Sequence, residues 1–179
     1  MVVTRNRPAL ARLRQGFGKS FGTPPVADVA ELCPELPQYR DLARVLVAEG
    51  KLAEQEGRQR DALRSYLDCL RLGSMVPRGG ALIHGLVGVA IHAIGLTALE
   101  GAINRVDGRA AAAAAREMGR LERMNVPLAE HLIEEREVLT ATMQAFIRDP
   151  GGTLERMNAA EGGQAPDEER RAAMDRACA

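Results

Sequence analysis

The sequence predicts an all-α fold of about five helices, packed as antiparallel hairpins around an apolar central helix. Apolar residues recur at intervals of three and four along most of the chain, which is the period of amphipathic helices. Alanine, the residue with the highest helix propensity, fills positions 110–115. Glycines and prolines separate the periodic stretches. A chain of 179 residues can bury a sizeable core without disulfides or a structural metal.

Composition divides the chain into three regions. Residues 1–40 are basic and rich in proline and glycine, so we expect an irregular arm, with Pro8 opening a short helix at most. Residues 41–148 carry the helical periodicity and form the predicted core. Residues 149–179 are charged and have little apolar surface to bury, so we expect a mobile tail with short helices, one of them near 153–160.

The core elements follow from local signals. Two amphipathic helices on either side of Gly57 are expected to form a hairpin. The third helix is predicted from Ala81 to Asn104, and the fourth begins after residues 107–108. Pro127 can start the fifth helix, which ends before the Asp-Pro-Gly-Gly sequence at 149–152.

The third helix is the most apolar stretch and has two distinct faces. One face is aliphatic, and the other repeats small residues and histidines: His84, Gly85, Gly88, His92 and Gly95. We interpret the second face as a surface of close helix contact, on which each histidine binds a carbonyl or carboxylate in the core. The helix as a whole is expected to be a buried central helix, because its amphipathic neighbours need an apolar partner. A membrane span is the alternative.

Composition also excludes classes of function. The 24 basic and 24 acidic side chains cancel, and aromatic residues make up 3% of the chain, which argues against nucleic-acid binding. The three cysteines, Cys33, Cys69 and Cys178, form no CxxC pair and are expected to be reduced thiols. With no signal-peptide pattern, the default compartment is cytoplasmic.

The sequence contains no GxSxG, P-loop, dinucleotide-binding or zinc motif. We therefore predict no catalytic residue, no cofactor and no metal ligand. His131 and Glu135 have a spacing that can share a metal, but two ligands do not make a site, and we interpret the pair as part of a solvated, salt-bridged helix face.

Part of the chain resembles a known repeat. The first hairpin has small and large residues at the positions where a tetratricopeptide unit has them: Gly50, Gly57, Ala62, Tyr66 and Cys69. Over residues 9–148 the chain resembles a group of bacterial all-helical proteins related to such units, whose activity is unassigned. The matching stretches are Leu13-Arg14-Gln15-Gly16-Phe17, Pro24-Pro25, Ser65-Tyr66-Leu67-Asp68, Leu70-Arg71-Leu72-Gly73, Val76-Pro77-Arg78-Gly79-Gly80, Leu82-Ile83-His84, Leu86-Val87-Gly88-Val89-Ala90 and Leu128-Ala129-Glu130.

The resemblance implies a helical fold rather than a reaction. Members of the group commonly carry an upstream membrane anchor, which implies an envelope-associated location if the native product has such a segment. This chain shows none, so membrane association is not expected of it.

We therefore predict a non-catalytic helical interaction or scaffold domain. Its partner is an unidentified protein, with a second copy of the chain as another candidate. The predicted binding residues are Arg40, Arg44, Arg78, His84 and His92. One alternative is a metal-binding or enzymatic module built from His84, His92, His131 and Glu135. The other alternative is a membrane-associated protein.

Overall fold

A computed structural model describes residues 2–23, 33 and 35–160 of the chain. Over these residues the fold is all-α, as predicted, with seven helices and no strand. The helices are α1 (Val2–Gly16), α2 (Glu35–Gln55), α3 (Gln59–Met75), α4 (Leu82–Ile103), α5 (Gly108–Glu122), α6 (Leu128–Arg148) and α7 (Pro150–Ala160). The predicted count of about five helices is too low because α1 and α7 lie outside the predicted core.

The amino-terminal region differs most from the prediction. Residues 2–16 form a helix rather than an irregular arm, and α2 begins at residue 35 instead of 41. Pro8 is accommodated inside α1. Val3 and Leu10 lie seven residues apart, hence on one helix face, and both are buried where α1 packs against α2. Tertiary contact therefore stabilises a helix that proline and glycine content argued against.

Helices α2 and α3 form the predicted hairpin. Gly57 adopts a left-handed conformation with φ of 75°, and the amide of Arg58 donates to the carbonyl of Ala53 at 2.8 Å. The chain direction reverses at this turn, so that Ala43 lies opposite Cys69 and Glu49 lies opposite Ser65. The core then continues through the next two helices, in a cluster of Ala53, Ala62, Leu63, Tyr66, Leu70, Leu99, Ala102, Ala114 and Leu121.

Helices α3 and α4 cross at two glycines. A Cβ atom placed on Gly88 would lie 2.8 Å from the carbonyl oxygen of Gly73, and one on Gly73 would lie 3.1 Å from the carbonyl oxygen of Gly88. Further along α4, Gly95 faces Leu70 and Cys69. The interpretation of this face as a surface of close helix contact is confirmed.

The prediction that α4 is a buried central helix holds for one side of the helix only. The helix packs against α2 and α3, but Ile83, Leu86 and Val89 are 48%, 57% and 66% exposed. By length and composition α4 could cross a membrane, since its most apolar window has a mean hydropathy of 1.9, and 33% of that window is buried. Helices that lie in the cores of soluble proteins also meet these two criteria, so they alone assign no membrane span.

The chain divides into two compact units. The first comprises residues 1–25 and 34–134 and holds α1 to α5 with the start of α6. Within the described residues, the second comprises residues 33 and 135–160 and holds the rest of α6 and α7. Helix α7 includes the residues of the short helix that the sequence predicts near 153–160. The predicted mobile tail beyond residue 160, and Cys178 within it, lie outside the described residues.

Candidate functional site

A groove of about 540 Å³ lies between α3 and α5 in the first unit. Its floor is apolar and is formed by leucines of α3 and alanines of α5. Charged side chains surround this floor. The lining residues are Arg60, Leu63, Arg64, Leu67, Asp68, Arg71, Arg109, Ala110, Ala113, Ala114 and Glu117.

Local sequence explains why the groove is open. Asp107 caps α5, and its side chain accepts a hydrogen bond from the amide of Ala110 at 2.9 Å. The alanines that follow give a stable helix but extend only a methyl group toward α3. A helix with such short side chains fills little of the space beside its neighbour, so a groove remains.

Four arginines line the groove against two carboxylates, Asp68 and Glu117. Both carboxylates already have partners. Arg14 of α1 donates to Asp68 at 2.7 Å, and Arg71 donates to Glu117 at 3.1 Å. The groove therefore has an excess of positive charge, although the chain as a whole is neutral.

The four arginines are not equivalent. Arg60 donates to Asp107 at 2.6 Å, and Arg71 pairs with Glu117. Arg64 and Arg109 are exposed and make no ion pair within the described part of the chain. Within that part of the chain, their guanidinium groups, unlike those of Arg60 and Arg71, have all their donors available to an anion.

The pKa values of two acidic residues at the groove, Asp107 and Asp68, are shifted in opposite directions. The Arg60 guanidinium, helped by the Ala110 amide, holds the pKa of Asp107 below its usual value. Burial raises the pKa of Asp68, while the hydrogen bond from Arg14 opposes that shift. Since Arg14 lies outside the groove lining, the Asp68 charge is compensated from α1 rather than by Arg64 or Arg109.

A second groove of about 510 Å³ places His92 beside Ser74. His92 Nε2 lies 2.9 Å from the carbonyl oxygen of Leu70 and 3.0 Å from Ser74 Oγ. A ring nitrogen next to a carbonyl oxygen must carry the proton and donate it. In this tautomer Nε2 cannot accept the serine proton, so the pair does not form an activated nucleophile.

Burial also lowers the pKa of His92, against the effect of its hydrogen bond to Leu70. The neutral ring is therefore favoured. The prediction that this histidine binds a carbonyl group within the core is confirmed.

The five predicted binding residues lie on α2, on α4 and in the connection between α3 and α4. Arg40 and Arg44 are exposed on α2, where Arg44 pairs with Asp41 at 2.7 Å. Arg78 lies in the connection between α3 and α4, and its carbonyl accepts a hydrogen bond from Thr23 at 2.8 Å. His92 lines the second groove.

His84 is fully buried, with 0% exposure, and its Nε2 lies 3.6 Å from Glu35 Oε1. Neither of its ring nitrogens makes a hydrogen bond to a described residue. A side chain without solvent-accessible surface cannot contact a partner in this conformation. Glu35 is 34% exposed and lies beyond hydrogen-bond distance, so the expectation that His84 binds a carbonyl or carboxylate in the core is not met among the described residues.

The histidines proposed for a metal site have different neighbours. His131, expected on a solvated face, is buried at 5% exposure, and its Nδ1 lies 2.9 Å from the carbonyl oxygen of Gly80. His84 faces Glu35, and His92 binds Leu70. Over the residues that the structure describes, these three histidines do not form a ligand cluster with one another.

The groove arginines were missed at the level of sequence. Arg60, Arg64 and Arg71 are separated by four and seven residues and therefore share one face of α3. The spacing of these arginines is visible in the sequence and indicates a basic face on α3. Its meaning depends on the alanine-rich helix beside it, and sequence spacing does not show which two helices become neighbours.

No protein family, no curated protein and no solved structure matches this chain. The resemblance to bacterial proteins related to tetratricopeptide units therefore stays a prediction.

Proposed function

We propose that the protein is a non-catalytic interaction domain that holds a segment of another protein in the groove between α3 and α5. The groove itself supports this proposal most strongly. An apolar floor surrounded by charged side chains is the usual composition of a protein-binding surface, with an apolar centre and a polar rim.

The dimensions of the groove fit a peptide segment. A volume of about 540 Å³ lies within the range of pockets that bind compact ligands, and it admits a few apolar side chains. Two parallel walls formed by helices match the mode in which a groove receives the apolar face of a partner helix.

The α2–α3 hairpin adds support by analogy with tetratricopeptide units. A Cβ atom on Gly50 would overlap the ring of Tyr66, so a small residue on one helix accommodates a large one on the next. Repeat folds of this kind commonly serve as binding scaffolds. One fold hosts many functions, so the hairpin supports the proposal less strongly than the groove does.

The chemistry of the second groove also agrees with a non-catalytic role. Ser74 is buried and His92 Nε2 donates, which leaves this pair without a base to activate the hydroxyl.

Photo-crosslinking in the source cells would test the proposal. Ala113 and Ala112 are adjacent, exposed alanines of α5, and Ala113 lines the groove whereas Ala112 does not belong to its lining. A photoreactive amino acid at position 113 should crosslink a distinct protein, and one at position 112 should crosslink far less of it. Equal labelling from both positions, or none from either, would rule out the groove as the binding site.

A further inference from the structure

We infer that the segment bound in the α3–α5 groove is acidic: an amphipathic helix whose apolar side chains enter the groove and whose carboxylates bind Arg64 and Arg109. This inference rests on the proposed function and adds the chemistry of the partner.

The apolar floor requires a partner with an apolar face. Leu63 and Ala114 belong to the buried core, and Leu67 packs against that core from the groove side. A small anion bound by the arginines alone would leave this floor in contact with water. A helix with apolar residues at intervals of three and four would cover it.

The charges favour a negative partner. The groove's two carboxylates are neutralised by Arg14 and Arg71, so they do not offset Arg64 or Arg109. A basic partner would meet the uncompensated guanidinium groups of Arg64 and Arg109, and an uncharged partner would leave these two groups without a counter-charge. Each guanidinium can instead donate two parallel hydrogen bonds to a carboxylate of the partner.

The positions of the two free arginines suit a helix lying along the groove. Arg64 belongs to α3 and Arg109 to the first turn of α5, so they come from opposite walls. Carboxylates on both flanks of an apolar stripe would then each meet one arginine. Nucleic acid fits less well, because the lining contains no aromatic side chain on which a base could stack.

The test uses three synthetic helical peptides with one apolar face and flanking glutamates, glutamines or lysines. Binding to the full chain is measured by fluorescence anisotropy at low and high salt. The glutamate peptide should bind at least about tenfold more tightly than the lysine peptide, and the difference should shrink as salt rises.

Charge reversal provides the decisive comparison. The double variant Arg64→Glu/Arg109→Glu should bind the glutamate peptide about tenfold less tightly and the lysine peptide more tightly than the unmodified chain does. The control Arg40→Glu/Arg116→Glu makes the same change in net charge at exposed positions outside the groove lining and should leave the preference intact. Circular dichroism and thermal melting should show that both variants fold.

Several results would overturn the inference. They are equal binding of the three peptides, unchanged preference in the groove variant, or equal weakening by the control, which would indicate a long-range charge effect. If position 113 still crosslinks a protein while charge reversal has no effect, the acidic partner is excluded and the interaction domain stands. If position 113 crosslinks nothing and no peptide binds, both proposals fail.

Discussion

At the scale of single residues, Tyr66 is the best example of how this chain specifies its packing. Its ring lies against Gly50, its exposure is 1%, and its hydroxyl donates to Glu54 Oε1 at 3.0 Å. Arg105 donates to the other oxygen of the same carboxylate at 3.1 Å. One aromatic side chain thereby connects α2, α3 and the residues that follow α4.

Replacing Gly50 with alanine should destabilise the protein by about 1–3 kcal/mol, because the added Cβ overlaps the Tyr66 ring and over-packs the core. Alanine has the higher helix propensity by about 1 kcal/mol, so the loss would occur despite a favourable local effect. Urea denaturation followed by circular dichroism measures the free energy of unfolding.

Gly101→Ala is the matched control for this substitution. Like Gly50, Gly101 lies in a helix. Unlike Gly50 it is exposed, and no atom lies within 4 Å of a Cβ built on it. Here helix propensity acts alone, and stability should rise by up to about 1 kcal/mol. If both substitutions stabilise the protein, the contact between Gly50 and Tyr66 is not as close as described.

At the scale of elements, α1 shows what local sequence does not reveal. Arg14 donates to Glu49 of α2 and to Asp68 of α3, and its side chain is 33% exposed. Phe17, just after α1, lies 5.4 Å from the Arg71 guanidinium. These interactions join residues 35 and 54 positions apart, so a reading of nearby residues could not include them.

Replacing Arg14 with leucine should destabilise the fold by about 1–2 kcal/mol, because two carboxylates would remain half-buried without their counter-charge. The loss is limited because these side chains are partly solvated. Arg12→Leu removes the same charge from an exposed position of α1 and should change stability by less than about 0.5 kcal/mol. Equal melting temperatures for the two variants would mean that α1 is not held by Arg14.

Elements with strong local signals were predicted closely. The third predicted helix, 81–104, is α4 at 82–103, and the segments after residues 107–108 and after Pro127 became α5 and α6. Asp107 caps its helix as its position suggests. By contrast, the groove needs α3 and α5 to be neighbours, and only its burial shows that His84, predicted both to lie in the core and to bind a partner, is inaccessible. Both depend on packing between distant segments.

At the scale of the whole molecule, α4 contributes an exposed apolar surface. Its glycine-rich face joins it to α3, and its opposite face carries exposed apolar side chains. An exposed apolar residue contributes little to folding, whereas its buried neighbour on the same helix contributes through the surface removed from water.

Leu86→Gln should therefore change the free energy of unfolding by less than about 0.5 kcal/mol. Val87→Gln should cost about 2 kcal/mol or more, because Val87 is 7% exposed and its replacement would bury an amide. Denaturant titration of both variants makes the comparison. A large loss from Leu86→Gln would mean that this face of α4 is covered in the folded protein.

The network around Arg14 also has a consequence for synthesis on the ribosome. Helix α1 is made before α2 and α3, but Asp68 follows Arg14 by 54 residues. At about 5–20 residues per second, roughly 3–11 s pass between the translation of the two residues. The α2–α3 hairpin can form from nearer contacts as soon as it emerges. Helix α1 therefore completes its tertiary contacts only after the hairpin has been made.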